Sequence, residues 1–216
     1  MIRKLKNIIW KILTKLKIGG TIQLLLASGL KDDGWFESFN TKKSIDKNGN
    51  PIPWCTYPFI KFIEPRLKKD FTVFEYGSGN STIWYAKRVK EIISVENDEA
   101  WFKVVSKLLP ANAKLIYIKS DIDGEYCRSI VKQNSKFNII IIDGRDRINS
   151  IKFSVNQLTD DGIIVFDNSQ IEKYKEGLNL LNSMNFKKID FIGPLPIVSH
   201  NNQTSIFYRN NNCLNI

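Results

Sequence analysis

One junction limits the possible folds of this chain more than any other feature: Val73-Phe74-Glu75-Tyr76-Gly77-Ser78-Gly79-Asn80-Ser81-Thr82. An apolar strand turns on two glycines and enters a helix expected to begin near Ser81. Open α/β sheets use such a junction to present a nucleotide-like ligand at the carboxyl ends of their strands. Gly77 and Gly79 permit a sharp turn and a close backbone approach. A dinucleotide site reads G-x-G-x-x-G, with a third glycine that packs helix on strand. Thr82 stands in that place here. The pattern is instead E-x-G-x-G, and a second acid, Glu96, ends the next strand some twenty residues on.

Beyond residue 71, strand and helix signals alternate. Strands are expected over 72–75, 92–96, 114–118, 137–143 and 163–167, then over 187–192 and 205–209. Helices are expected over 81–90, 99–108, 124–133, 150–158 and 171–182, with a turn at Asp160-Asp161-Gly162. The run 137–143 is almost wholly apolar, as in a strand buried on both faces. Repeated β-α units predict an α/β, Rossmann-like fold: a mostly parallel seven-stranded sheet with helices on both faces. Three segments follow: 1–20, 21–70 and a ligand-binding domain over 71–216.

Residues 2–18 place Ile2, Leu5, Ile8, Ile9, Ile12, Leu13 and Leu16 on one helical stripe. Gly19-Gly20 is expected to end that helix. Lysines interrupt the apolar core and no small-residue cleavage site follows, so a signal peptide is rejected. Two uses of the helix stand open. It lies on an anionic membrane surface, or it packs on the body or on a second subunit, as in a homodimer. The net charge is +10, and residues 1–20 hold six bases and no acid; without those six the remainder is +4. The body is therefore only mildly basic, and no zinc-finger or RNP signature supports a nucleic-acid partner.

Residues 21–70 predict a helix over 21–30 and a helix over 59–67. Between them lies a Gly/Pro/Asn-punctuated loop rich in aromatics. That loop packs on the domain edge or forms a lid. Cys55, Cys127 and Cys213 are single and widely spaced, which argues against a disulfide framework or a zinc site. The chain thus reads as a reduced, cytoplasmic protein, and no apolar run is long enough to span a bilayer.

On Glu75, both glycines and Glu96, in order and on the right elements, residues 71–209 resemble the class I S-adenosylmethionine-dependent methyltransferases. The resemblance implies an antiparallel last strand. It also implies that Glu75, Tyr76, Gly77, Ser78 and Gly79, with Ser81 and Thr82, cradle the methionine part of S-adenosylmethionine. Glu96 with Asn97 would bind its ribose, and Asp121 its adenine; the alternative for Asp121 is a helix cap. The Asn/Asp-Pro-Pro-aromatic motif of base-modifying members is missing. The phrases 51–54, 74–79, 143–145 and 204–209 look like bacterial methyltransferases associated with surface-polysaccharide synthesis.

Two acidic strand ends carry the candidate chemistry: Asp143-Gly144-Arg145-Asp146-Arg147 and Asp167-Asn168-Ser169. Asp143, Asp167 and Asn168 are oxygen donors suited to Mg²⁺. They are similar to the metal site of the catechol O-methyltransferase-like group and of related sugar O-methyltransferases. A divalent ion there would lower the pKa of an alcohol acceptor and orient it. The other reading has Asp143 hold backbone or acceptor, and Asn168-Ser169 cap the next helix. Arg145 and Arg147 clamp an anionic group on the acceptor, or pair with Asp146. Arginine stays protonated and is a poor base. His200, in the loop between the last strands, is a candidate base or incidental. The reading is a methyltransferase acting on a hydroxyl of a small-molecule or glycan acceptor. Rivals are an aminopropyl transferase, a methyltransferase for nitrogen or nucleic acid, and a non-enzymatic membrane-associated adaptor.

Overall fold

The computed structural model describes residues 2–216. A seven-stranded sheet runs in the order β3-β2-β1-β4-β5-β7-β6. Its strands are β1 (Thr72–Tyr76), β2 (Glu91–Glu96), β3 (Ala113–Tyr117), β4 (Phe137–Ile142), β5 (Leu158–Asp167), β6 (Lys187–Gly193) and β7 (Asn202–Tyr208). The first five are parallel. β7 inserts antiparallel between β5 and β6. The chain order reverses between β1 and β4, so a crevice opens at the carboxyl ends of these two strands.

Helices α6 (Asn80–Ala86), α7 (Glu99–Val105), α8 (Glu125–Arg128), α9 (Arg147–Ser154) and α10 (Lys175–Ser183) connect the strands. Successive strand residues point to opposite faces. Val73, Ile139, Ile141, Ile163, Val165 and Ile206 face one core, shared with Tyr57, Phe59, Trp84 and Tyr85. Phe74, Tyr76, Ile140, Ile142, Ile164 and Phe166 face the other, shared with Tyr126, Ile151 and Leu181. The apolar run of β4 is explained by this double burial.

Several boundaries differ from expectation. β5 starts five residues early and absorbs the expected Asp160-Asp161-Gly162 turn, with a register shift against β4. A side chain at Gly162 would come within 2.9 Å of the Phe137 carbonyl, so only glycine lets the two strands pass there. The helix expected over 124–133 is one turn, α8, and then a 3₁₀ turn at Val131–Gln133. α9 begins three residues early, at Arg147.

The N-terminal helix ends differently too. α1 (Ile2–Lys15) stops at Lys17, which adopts the left-handed conformation at φ 60°. Ile18 N–H donates to the Leu13 carbonyl (3.1 Å) and Lys17 N–H to that of Thr14 (3.0 Å). That pair of bonds is a Schellman cap. Gly19 and Gly20 open the next helix, α2 (Gly19–Leu26), rather than closing the first. Short helices α3 (Gly29–Asp32) and α4 (Trp35–Thr41) follow, then a loop and α5 (Tyr57–Ile63). Pro58 sits in the first turn of α5, where a missing N–H costs nothing.

Candidate active site at the strand ends

The turn after β1 is held against the end of β4 by two glycines. Gly77 has φ 90°, and its N–H donates to the Val95 carbonyl (2.9 Å). A Cβ on Gly77 would lie 3.3 Å from the Gly144 backbone. A Cβ on Gly144 would collide with the Tyr126 hydroxyl and lie 2.9 Å from the Tyr76 carbonyl carbon. Gly144 thus governs the approach of the two strand ends. Its sequence signal was only a glycine after an acid. Gly79 has φ 155°, and a Cβ there would touch the Trp101 ring at 3.5 Å. Trp101 Nε1 donates to the Ser78 carbonyl (2.9 Å), so this indole packs over the turn.

Glu75 is buried beneath that turn. Its Oε2 accepts from Thr82 Oγ1 (2.5 Å) and Ser94 Oγ (2.7 Å). Thr82 Oγ1 in turn accepts the Gly79 N–H (3.1 Å). The threonine in place of a third glycine therefore locks turn, helix and acid together. Burial pushes the Glu75 carboxyl up to about 7, against the hydroxyl bonds that favour its charge. Glu96 is also buried. Its Oε1 accepts the backbone N–H groups of Asn97 (2.7 Å) and Asp98 (2.9 Å), and its Oε2 accepts from Ser78 Oγ (2.7 Å). The hydroxyl of Ser78 thus ties the glycine turn to the end of β2.

Two cavities meet at this turn. The larger, about 890 Å³, is lined by Glu75, Ser78, Gly79, Ser81, Asp143, Asp167, Asn168 and His200. The second, about 720 Å³, is lined by Glu96, Asn97, Arg145 and Ile122. Gly77, Asp143 and Arg147 border both. The strand ends therefore bring together Glu75, Asp143, Asp167, Asn168 and His200. Arg145 is exposed and belongs to the other cavity. Tyr76 contributes backbone only; its hydroxyl donates to the Cys127 carbonyl (2.7 Å) on the far face. Asp121 borders neither cavity. Its oxygens accept the N–H groups of Glu125 (2.9 Å) and Tyr126 (3.2 Å) and cap α8, which holds the carboxyl below the usual range.

Arg147 organises the acidic strand ends. Its Nη2 donates to the carboxylate (2.8 Å) and carbonyl (2.8 Å) of Asp143, its Nε to the Gly144 carbonyl (3.0 Å) and its Nη1 to the Asp167 carbonyl. It pairs with Asp143, not Asp146. Asp167 is buried, and its Oδ1 accepts from Thr204 Oγ1 (2.6 Å). Thr204 also accepts the Thr56 N–H (3.2 Å), so its own hydrogen is free for Asp167. Burial, then the neighbouring Asp143 charge, push Asp167 up to about 7. Burial raises Asp143 as well, opposed by Arg147. Asn168 lies at φ 57° but caps no helix, because α10 starts only at Lys175.

This donor set does not fit a dedicated Mg²⁺ site. One of its two carboxylates is held by a guanidinium and the other by a hydroxyl. The residues that fit a cofactor are Glu75 and Glu96. A further polar atom points the same way: Ser44 Oγ is buried on the wall of the larger cavity without a partner among the described residues. Ser44 comes from the aromatic loop, which Asn80 Nδ2 fastens to the glycine turn through the Ser44 carbonyl (2.6 Å). The segment is tied to the domain edge and also reaches the cavity. Trp35 anchors it to the Val198 carbonyl (2.7 Å), while Ile45, Pro51 and Trp54 wall the cavity. Ser44 and Trp101 were not legible as site residues, because only tertiary packing brings them to the turn; Asn80 follows Gly79 directly, but its bond to Ser44 exists only in the folded chain.

No family model and no curated protein matches the chain by sequence. Solved structures do share its fold. A provisionally named O-methyltransferase from Klebsiella pneumoniae aligns with a TM-score of 0.55 and 13% identity, over 88% of this chain and 94% of that one. A precorrin-6y C5,15-methyltransferase from Geobacter metallireducens aligns with a TM-score of 0.54 and 12% identity, over 70% and 87%. A provisionally named methyltransferase from Streptococcus mutans, solved with SAH, aligns with a TM-score of 0.50 and 15% identity, over 70% and 97%. The fold is the Rossmann-like methyltransferase fold. At these identities the likeness establishes architecture, and chemistry must be argued from the site.

Proposed function

We propose that this chain is an S-adenosylmethionine-dependent methyltransferase acting on a hydroxyl oxygen of a sugar or glycan. The observation that carries the proposal is one glycine turn flanked by two buried acids, Glu75 and Glu96, at the meeting of two cavities. On this reading Glu96, with Asn97 beside it, accepts from ribose hydroxyls. Glu75 and the backbone of Gly77 to Gly79 suit the charged methionine end. When bound, the cofactor supplies a methyl already activated on a sulfonium, so catalysis rests mainly on placing the acceptor in line.

The larger cavity supports a polyol acceptor. It offers carboxylate (Asp167), amide (Asn168, Asn202) and imidazole (His200) groups beside the indoles of Trp54 and Trp101. Apolar walls with a few convergent polar groups are the usual make-up of a small-molecule site. Asp167, poised near neutrality, takes the hydroxyl proton as the C–O bond forms and the C–S bond breaks. His200 borders the same space. Arg147 provides a fixed positive charge where a metal-dependent site would hold an ion, so methyl transfer should survive EDTA.

Calorimetric titration with S-adenosylmethionine and with its demethylated product tests the cofactor assignment. Micromolar binding, lost in Glu96→Ala, is expected. Absence of binding by either compound would overturn it. Radiolabelled methyl transfer to a panel of sugars and glycans then tests the acceptor class. Asp167→Asn should lower the rate on the order of a hundredfold while cofactor affinity holds.

A further inference from the structure

We infer that α1 is a membrane-surface element, and that its partner is an anionic bilayer. The stripe read from the sequence is not covered by the body. Leu5 (59% exposed), Ile8 (55%) and Ile12 (54%) all face outward, as do Ile9 and Leu16. α2 adds Leu24, Leu25 and Leu26, which are exposed as well. Isolated surface leucines are ordinary, whereas a continuous apolar stripe along fourteen residues marks an interaction face.

Charge selects the occupant. At 100° per residue, Leu5, Ile8, Ile9, Ile12 and Leu16 fall within one arc, and Lys6 and Lys15 lie at its two edges. Lys4 and Lys11 follow Lys15 round the same flank, and Arg3 stands opposite the apolar arc. Basic residues at the edges of an apolar face can lay their stems on it and lift their charges to the headgroup level. A second copy is a poor fit. A two-fold dimer sets a surface against itself, and this one would bring the flanking lysines of one copy toward those of the other, with no acid in residues 1–20 to offset them. A neutral apolar partner would leave the bases unused. The helix is also too short to cross: among the described residues no helix is long and apolar enough to span a bilayer. It therefore lies in the plane of the surface, with the apolar stripe sunk among acyl chains.

Binding of the full chain to sedimentable vesicles tests this directly. One set is phosphatidylcholine alone; the other carries about one third phosphatidylserine. The chain should bind the anionic set strongly and the neutral set weakly, and 0.5 M salt should release it. Lys4→Gln, Lys11→Gln and Lys15→Gln together should weaken binding about a hundredfold. Ile8→Glu with Ile12→Glu should abolish it. Circular dichroism and thermal melting should match the parent chain, showing that the variants fold. Equal binding to neutral and anionic vesicles would overturn the inference, as would no binding to either. Sedimentation equilibrium supplies a third outcome: a dimer in the parent that Ile8→Glu dissociates would assign the stripe to a second copy instead.

Discussion

At the scale of single residues, the site depends on carboxylates kept from water. Glu96 satisfies three donors, and Glu96→Ala should leave the N–H groups of Asn97 and Asp98 and the Ser78 hydroxyl without it. A loss of about 1–3 kcal/mol of stability is expected, besides the loss of cofactor binding, and urea unfolding would measure it. Gly144→Ala is a sharper test. Its Cβ meets backbone as well as the Tyr126 hydroxyl, so removing that hydroxyl in a Tyr126→Phe double variant should recover only part of a cost of about 2–3 kcal/mol. Gly79→Val should also impair binding, but the reason is local. Its φ of 155° belongs to glycine, and the new side chain presses on Trp101 rather than on open space.

Among the elements, β4 and β5 end with two acids whose charges repel, and Arg147 holds them together. Arg147→Ala would strand the Asp143 carboxylate and leave carbonyls of Asp143, Gly144 and Asp167 unpaired. Arg147 is buried but Asp143 is one third exposed, so the cost should fall below the 3–5 kcal/mol of a fully buried pair, at about 2–3 kcal/mol. Arg147→Lys should rescue little, because a point charge cannot span four acceptors in a fan. Chemical denaturation of both variants would show whether the planar fork matters. The sequence indicated two arginines beside these acids. Which of them turns inward depends on α9 beginning at Arg147, with Asp146 at its N-cap but making no side-chain capping bond.

For the whole molecule, the raised acids predict an uncommon pH dependence. Glu75 and Asp167 hold their protons to about 7 when folded, whereas the unfolded chain releases them near ordinary carboxylate values. Between those limits the folded state binds more protons, so stability falls as pH rises. The loss should begin above pH 4 to 5 and level off beyond about 7. Glu75 alone would account for about 3 kcal/mol. Thermal melting from pH 5 to 8 should show the decline, and Glu75→Gln should flatten it and raise the midpoint at pH 8. A ligand ammonium beside Glu75 would drive its proton off, so calorimetry in buffers of different ionisation heat should detect proton release on binding. By contrast, deleting residues 2–18 should move the melting point by less than about 2 °C, because the side chains described on α1 are almost all exposed.

Patterns of short range were legible in the chain itself. Alternating β and α signals gave the sheet, the doubly apolar run gave its central strand, and glycine spacing gave the turn after β1, because each is set by neighbours in sequence. The two acids beside that turn were legible for the same reason, since Glu75 is the last but one residue of β1 and Glu96 ends β2. Tertiary structure alone decided what those groups touch. Packing put Trp101 over the turn, carried Ser44 into the cavity, turned Arg147 inward onto Asp143 and left Asp121 capping α8. Contacts between residues distant in sequence arise from how elements stack, and side-chain burial, which sets the charge of Glu75 and Asp167, exists only once they have stacked.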